Sequence, residues 1–107
     1  MCGNAGWHRA ATLDQVTEDE PLALQVGERR IALFRVGEEI FATDDVCTHA
    51  FALLSDGLQE GCVIECPLHN ARFEVRTGRA LSSPAERDLD TFPVRVAGEA
   101  IEILLPA

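Results

Sequence analysis

A small all-β domain is the fold the sequence predicts: an antiparallel sandwich or barrel with a loop-rich segment inserted at about residues 43–86. Three observations predict it. Apolar residues alternate with others over short runs, the two-residue period of a half-buried strand. Between such runs a Gly-Glu pair recurs at 27–28, 37–38 and 98–99. Glycine in the first central position suits a type II′ turn, whose twist matches a hairpin. Finally, no stretch carries the apolar period of a long helix. The 107 residues make a single domain, residues 1–107, with no linker or low-complexity segment to divide them.

Taken in order, Trp7 and His8 open the first strand and read as structural. "TLDQ" at 12–15 pairs a cap residue with Gln three positions on, the signature of a single helical turn. Leu22, Leu24 and Val26 alternate with Ala23 and Gln25 as a strand. "IALFRV" at 31–36 is apolar on both faces, as expected of a central strand. "LSDG" at 54–57 supplies a turn, and "CVIEC" at 62–66 a returning strand on which Cys62, Ile64 and Cys66 share a face. "SPAE" at 83–86 has the cap pattern again, with Pro84 in the first helical position. Phe92, Val94 and Val96, then Ile101, Ile103 and Leu105, mark the closing strands.

The chemistry lies in the insertion. Cys47-x-His49 is followed, after sixteen residues, by Cys66-x-x-His69. Each half lets one loop offer a thiolate and an imidazole to a single metal-bearing object. Three readings are open. The cysteines are packed small hydrophobes; or the four residues hold one zinc tetrahedrally; or they hold a 2Fe–2S cluster with two Cys on one iron and two His on the other. The mixed loops depart from the usual C-x-x-C then H-x-x-x-H order of zinc sites. They suit the third reading, in which each loop gives its Cys to one iron and its His to the other. Cys62 reads as a packing residue and Cys2 as a terminal thiol.

"CTHAFALLSDG" at 47–57 and "CPLHNARFEVRTG" at 66–78 resemble the two cluster loops of Rieske proteins. The likeness is greatest to the small ferredoxin components of bacterial aromatic-ring-hydroxylating dioxygenases. It extends through "TGRALSSPAERDLDTFPVRVAGEAIEI", similar to that family's proline-bearing third loop and closing strands. The resemblance implies a Rieske-like antiparallel β-sandwich with a small cluster-binding subdomain. It implies that Cys47 and Cys66 bind an inner iron, His49 and His69 an outer one, and that Pro84 and its neighbours cover the cluster. Phe51, Leu53 and Leu54 would shield it from water. Relatives often have glycine after the second histidine, where this chain has "HNAR". Ala71 keeps its backbone N–H for a hydrogen bond to sulfur, but the loop shape changes.

Charge counting gives the ligand set a consequence. Two ferric ions, two sulfides and two thiolates sum to zero with neutral imidazoles, whereas a four-cysteine cluster is two units more negative. Histidine ligation therefore raises the potential above the roughly −400 mV of plant-type ferredoxins, into a span of about −150 to +300 mV. High-potential relatives resemble one another in a disulfide between the loops and in Ser and Tyr hydroxyls near the cluster. Here Ala52 and Leu68 stand where bridging cysteines are sought, and the chain has no tyrosine. The low end of the span is predicted.

Acidic residues outnumber basic ones 18 to 9. That argues against nucleic acid, since nothing would neutralise phosphates. It suits either solubility alone or partners with basic docking patches. The apolar runs are too short to span a bilayer, and "MCGNAGWHRA" has no export pattern, so a cytoplasmic protein is expected. Arg72, Arg76 and Arg79 read as a solvated rim. No nucleotide fingerprint and no second His–carboxylate set appear. The expected function is a monomeric one-electron carrier between a ferredoxin reductase and a terminal oxygenase. The alternatives are a Rieske-like small subunit of a nitrite reductase complex and a zinc-stapled binding module.

Overall fold

The computed structural model describes residues 7–18, 20–27, 29–46, 52–67, 71–82 and 87–105. In chain order the strands are β1 (Trp7–Thr12), β2 (Leu22–Val26), β3 (Arg29–Val36), β4 (Glu39–Asp44), β5 (Leu58–Glu60), β6 (Val63–Glu65), β7 (Arg72–Glu74), β8 (Thr91–Phe92), β9 (Val94–Ala97) and β10 (Ala100–Leu104). Helix is confined, among the described residues, to single 3-10 turns at Leu13–Gln15 and Leu54–Asp56. The strands form three antiparallel sheets, ordered β1-β10-β9, β2-β3-β4-β8 and β5-β6-β7. The third sheet lies in the chain between β4 and β8, where the loop-rich segment was expected.

Hairpins turn where the three Gly-Glu pairs predicted them. Val26 pairs with Arg29, Val36 with Glu39 and Ala97 with Ala100, and Gly27, Gly37 and Gly98 have φ of 62°, 61° and 65°. A side chain there would meet the left-handed penalty that glycine avoids. A fourth hairpin, expected to turn at "LSDG", turns later in the chain. Glu60 pairs with Val63 across Gly61, φ 57°, so Cys62 sits in a turn and not on the strand face. Its side chain is only half-buried, whereas Ile64 and Cys66 are fully buried.

β3 is central, and its two faces build two cores. Ile31 and Leu33 point into the sandwich with Ala11, Val16, Ile40, Ala42, Phe92, Ile101 and Ile103. Ala32 and Phe34 point the other way, into a cluster with Leu54, Ile64, Cys66, Ala71, Phe73, Val75 and Leu89. A strand covered on both faces must be apolar throughout, which is why 31–34 reads as a continuous run. The buried side chain of Gln59 ties the third sheet to this framework. Its Nε2 donates to the Arg35 and Gly61 carbonyls, each at 3.0 Å.

The closing strands differ from the simple alternation. The run from Phe92 to Val96 is split at Pro93: β8 pairs with β4 in one sheet, and β9 with β10 in the other. Proline has no N–H for a ladder, so the chain changes sheets there. Phe92 is buried, Val94 half-buried and Val96 46% exposed, because cover fades along the edge strand. The "TLDQ" turn forms as expected, with the Gln15 Oε1 accepting from the Thr12 N–H at 3.0 Å. The "SPAE" turn lies outside the described residues.

Candidate metal centre

Of the four predicted ligands, Cys66 is described; Cys47, His49 and His69 lie outside the described residues, as do Phe51, Pro84 and Cys2. Cys66 follows β6 directly and is fully buried in the second core. Three loops close at their bases: the two that carry the predicted ligands and the third, proline-bearing one.

The first loop is closed by an antiparallel bridge between Val46 and Leu53, backed by a 2.6 Å hydrogen bond from the Leu54 N–H to the Asp45 carbonyl. The second is closed by the Cys66 N–H donating to the Ala71 carbonyl at 2.7 Å. In the third, the Ala80 N–H donates to Asp88 Oδ1 at 2.9 Å and the Leu89 N–H to the Gly78 carbonyl at 2.7 Å. Leu54, Cys66, Ala71 and Leu89 belong to one buried cluster, so the three loop bases share a core. Leu53 is half-buried and Leu54 is fully buried in the same core.

Gly57 brings the first two loops into contact. It ends the Leu54–Asp56 turn, and a Cβ on it would lie 2.1 Å from the Glu65 carbonyl oxygen. Only a residue without a side chain lets the turn lie flat on the strand that delivers Cys66.

Asp45 anchors the first loop from beneath. Its carboxylate is fully buried and accepts from Arg30 Nε at 2.7 Å, the Ser55 N–H at 2.7 Å and Ser55 Oγ at 3.0 Å. Its own N–H donates to the Arg30 carbonyl at 3.1 Å. Sequence reasoning missed this node, because nothing in "DDVCTH" tells the inward aspartate from its neighbour until strand register is known. Asp44 next to it is half-buried at 3.5 Å from Arg29. Burial pushes its carboxyl up from the ordinary value of 3.8; Arg29 pulls it partly back, and Asp90 adds to the rise.

The arginine rim is solvated, as expected. Arg72, Arg76 and Arg79 are exposed; Arg72 stands 3.8 Å from Glu65, and Arg76 stands 4.0 Å from Glu39 and 3.6 Å from Cys62 Sγ.

The donor chemistry fits an iron–sulfur group. A buried thiol at the root of one loop suits an inner iron kept from water, and histidines further along each loop suit an outer one. This fold and this loop pair define an iron–sulfur domain, and comparison with known proteins says which. Residues 6–93 match the model of the Rieske [2Fe-2S] domain, and the chain belongs to that family. It is 48% identical to the ferredoxin component of the naphthalene 1,2-dioxygenase/salicylate 5-hydroxylase systems of Ralstonia sp., over 84% of this chain and 86% of that one. Among solved structures, it resembles the Sphingomonas yanoikuyae B1 ferredoxin, with 36% identity, a TM-score of 0.89, and 92% of this chain and 98% of that one covered. It also resembles a chain of the complex of reduced oxygenase and oxidized ferredoxin in carbazole 1,9a-dioxygenase, at 35% identity and a TM-score of 0.87, with 94% of each chain covered. The zinc and packed-cysteine readings of the motif give way to the Rieske [2Fe-2S] cluster. The curated relatives from Ralstonia sp. and Pseudomonas aeruginosa are named as ferredoxin components of their dioxygenase systems.

Proposed function

We propose that this chain carries single electrons from a ferredoxin reductase to the terminal oxygenase of an aromatic-ring-hydroxylating dioxygenase system, as a cytoplasmic monomer. Cys47 and Cys66 hold the inner iron and His49 and His69 the outer one, within a cluster-binding subdomain of about residues 43–86 in a single domain of residues 1–107. When bound, the cluster supplies a one-electron couple near the low end of the span of about −150 to +300 mV. The protein's own work is to bury the thiolate side, hold three loops closed at their bases, and leave the imidazole side toward a partner.

The observation that carries this reading is the convergence of the loop bases. The turn that follows the first loop ends on Gly57, against Glu65, one residue from the fully buried Cys66. Two loops that each offer a thiolate and an imidazole are thereby rooted side by side. Among the described residues no helix is long and apolar enough to cross a membrane.

Metal and sulfide analysis tests the reading. The purified protein is expected to be red-brown, with two irons and two acid-labile sulfides per chain as the Rieske [2Fe-2S] family requires. Zinc in place of iron, or no paramagnetic signal after dithionite, overturns it. His69→Cys should alter the visible and paramagnetic spectra; a spectrum identical to the wild type excludes His69 as a ligand. A midpoint well above 0 mV contradicts the low-potential assignment, which rests on the missing tyrosine and loop cysteines.

A further inference from the structure

Asp45 is the only acidic residue among the described ones whose side chain is fully buried, and it lies two positions before Cys47. Burying a carboxylate is expensive unless charge and hydrogen bonds compensate. Here they do. Arg30 on β3 meets it at 2.7 Å, and both the N–H and the hydroxyl of Ser55 donate to it, at 2.7 Å and 3.0 Å. Ser55 lies beyond the far end of the first loop, in the Leu54–Asp56 turn. The carboxylate therefore joins three segments: the strand entering the loop, the turn leaving it, and the central strand of the framework.

The two partners are unequal in their surroundings. The Asp45 side chain has no exposure, whereas Arg30 is 41% exposed. Water screens the guanidinium much more than the carboxylate, so the pair does not cancel at the loop. A net negative field is left close to the root of the proposed inner-iron ligand.

We infer that Asp45 is a positioning residue for the iron–sulfur centre: its clamp sets the first loop, and its buried charge holds the reduction potential down. The inference rests on the cluster reading above. An added electron is disfavoured by a nearby buried anion, and a loop whose two ends are bolted together holds its ligands with less reorganisation.

The test compares Asp45→Asn, Arg30→Gln and Ser55→Ala with the wild-type holoprotein by redox titration and by the rate of iron release to a chelator. Removing the anion should raise the midpoint. Removing the cation, which leaves the anion less compensated, should lower it. Loss of the Ser55 hydroxyl, with its N–H bond kept, should speed iron release, and Asp45→Asn should speed it more, roughly tenfold. Opposite midpoint shifts are the signature, because a loop that is merely loosened would move both variants the same way. Shifts of the same sign, or a midpoint and release rate equal to wild type, overturn the inference. If Asp45→Asn does not fold, the decision falls to the other two: a midpoint that fails to drop in Arg30→Gln, or unchanged release in Ser55→Ala, overturns it. A wild-type protein that holds zinc or no iron ends the cluster reading instead, which keeps the two failures distinct.

Discussion

Two glycines with positive φ separate strain from collision at single positions. Gly78 has φ 78°, and a Cβ there would come within 2.3 Å of the Leu89 carbonyl oxygen. Gly27 has φ 62° and open space around it. Gly27→Ala should cost only the left-handed penalty, about 1 kcal/mol. Gly78→Ala adds a backbone clash at the base of the third loop and should cost roughly 3 kcal/mol or more. Urea denaturation of both variants measures the difference; equal losses would refute it. Asp44 gives a residue-scale pH effect. Its folded pKa is raised above 3.8, so the folded state holds the proton more tightly than the unfolded chain. Stability from this group is therefore present below the unfolded value and declines as pH rises through the folded one. Asp44→Asn should flatten stability against pH in the window just above 3.8, at little cost, since the contact to Arg29 is long at 3.5 Å. A variant that keeps the wild-type slope in urea melts across that window would show that Asp44 is not its source.

At the scale of the element, β3 offers the cleanest experiment. Adjacent residues on one strand serve different cores: Leu33 the sandwich, Phe34 the cluster around Cys66. Both are fully buried. Leu33→Ala should cost about 2–5 kcal/mol and Phe34→Ala about 3–5 kcal/mol. Their effects on the metal centre should differ: Phe34→Ala opens a cavity in the cluster that includes Leu54 and Cys66, so it speeds iron loss beyond what its stability cost explains. Leu33→Ala should speed that loss only as far as its global destabilisation accounts for. Chelator-release rates measured against denaturant stability separate the two. If both variants fall on one line, the cores are not independent.

The whole molecule is acidic, and its cations are largely occupied. All nine basic residues are arginines. Among the described residues, Arg29, Arg30, Arg76, Arg72 and Arg95 form ion pairs with Asp44, Asp45, Glu39, Glu65 and Glu102. Arg35 donates to the carbonyls of Leu13, Val16 and Gly37. With a formal net charge of −9, the field a partner meets is set by carboxylates. Encounter with a basic docking patch should be fast at low salt and slow down as the Debye length falls from about 10 Å at 0.1 M to about 3 Å at 1 M. Stopped-flow electron delivery to an oxygenase over that range checks this. A rate independent of ionic strength would leave the charge with solubility as its only role.

Much of this was legible in the chain itself, because local rules carry it. Alternation named β2, β10 and the run that holds β8 and β9, Gly-Glu pairs marked three hairpins, and the doubly apolar run at 31–36 marked the central strand. The paired Cys–His motif, read with its mixed order, pointed to the family that the comparison then established. The Gly61–Cys62 turn was missed because it lacks the repeated glutamate, so Cys62 was placed on a strand. The split at Pro93 was missed because alternation survives a change of sheet, whereas hydrogen-bond partners do not. Tertiary structure alone decided which of two adjacent aspartates turns inward, which glycine lies against a carbonyl, and that three loops share one core. Those facts depend on contacts between residues far apart in the chain, where a local pattern holds no information about which atoms will meet.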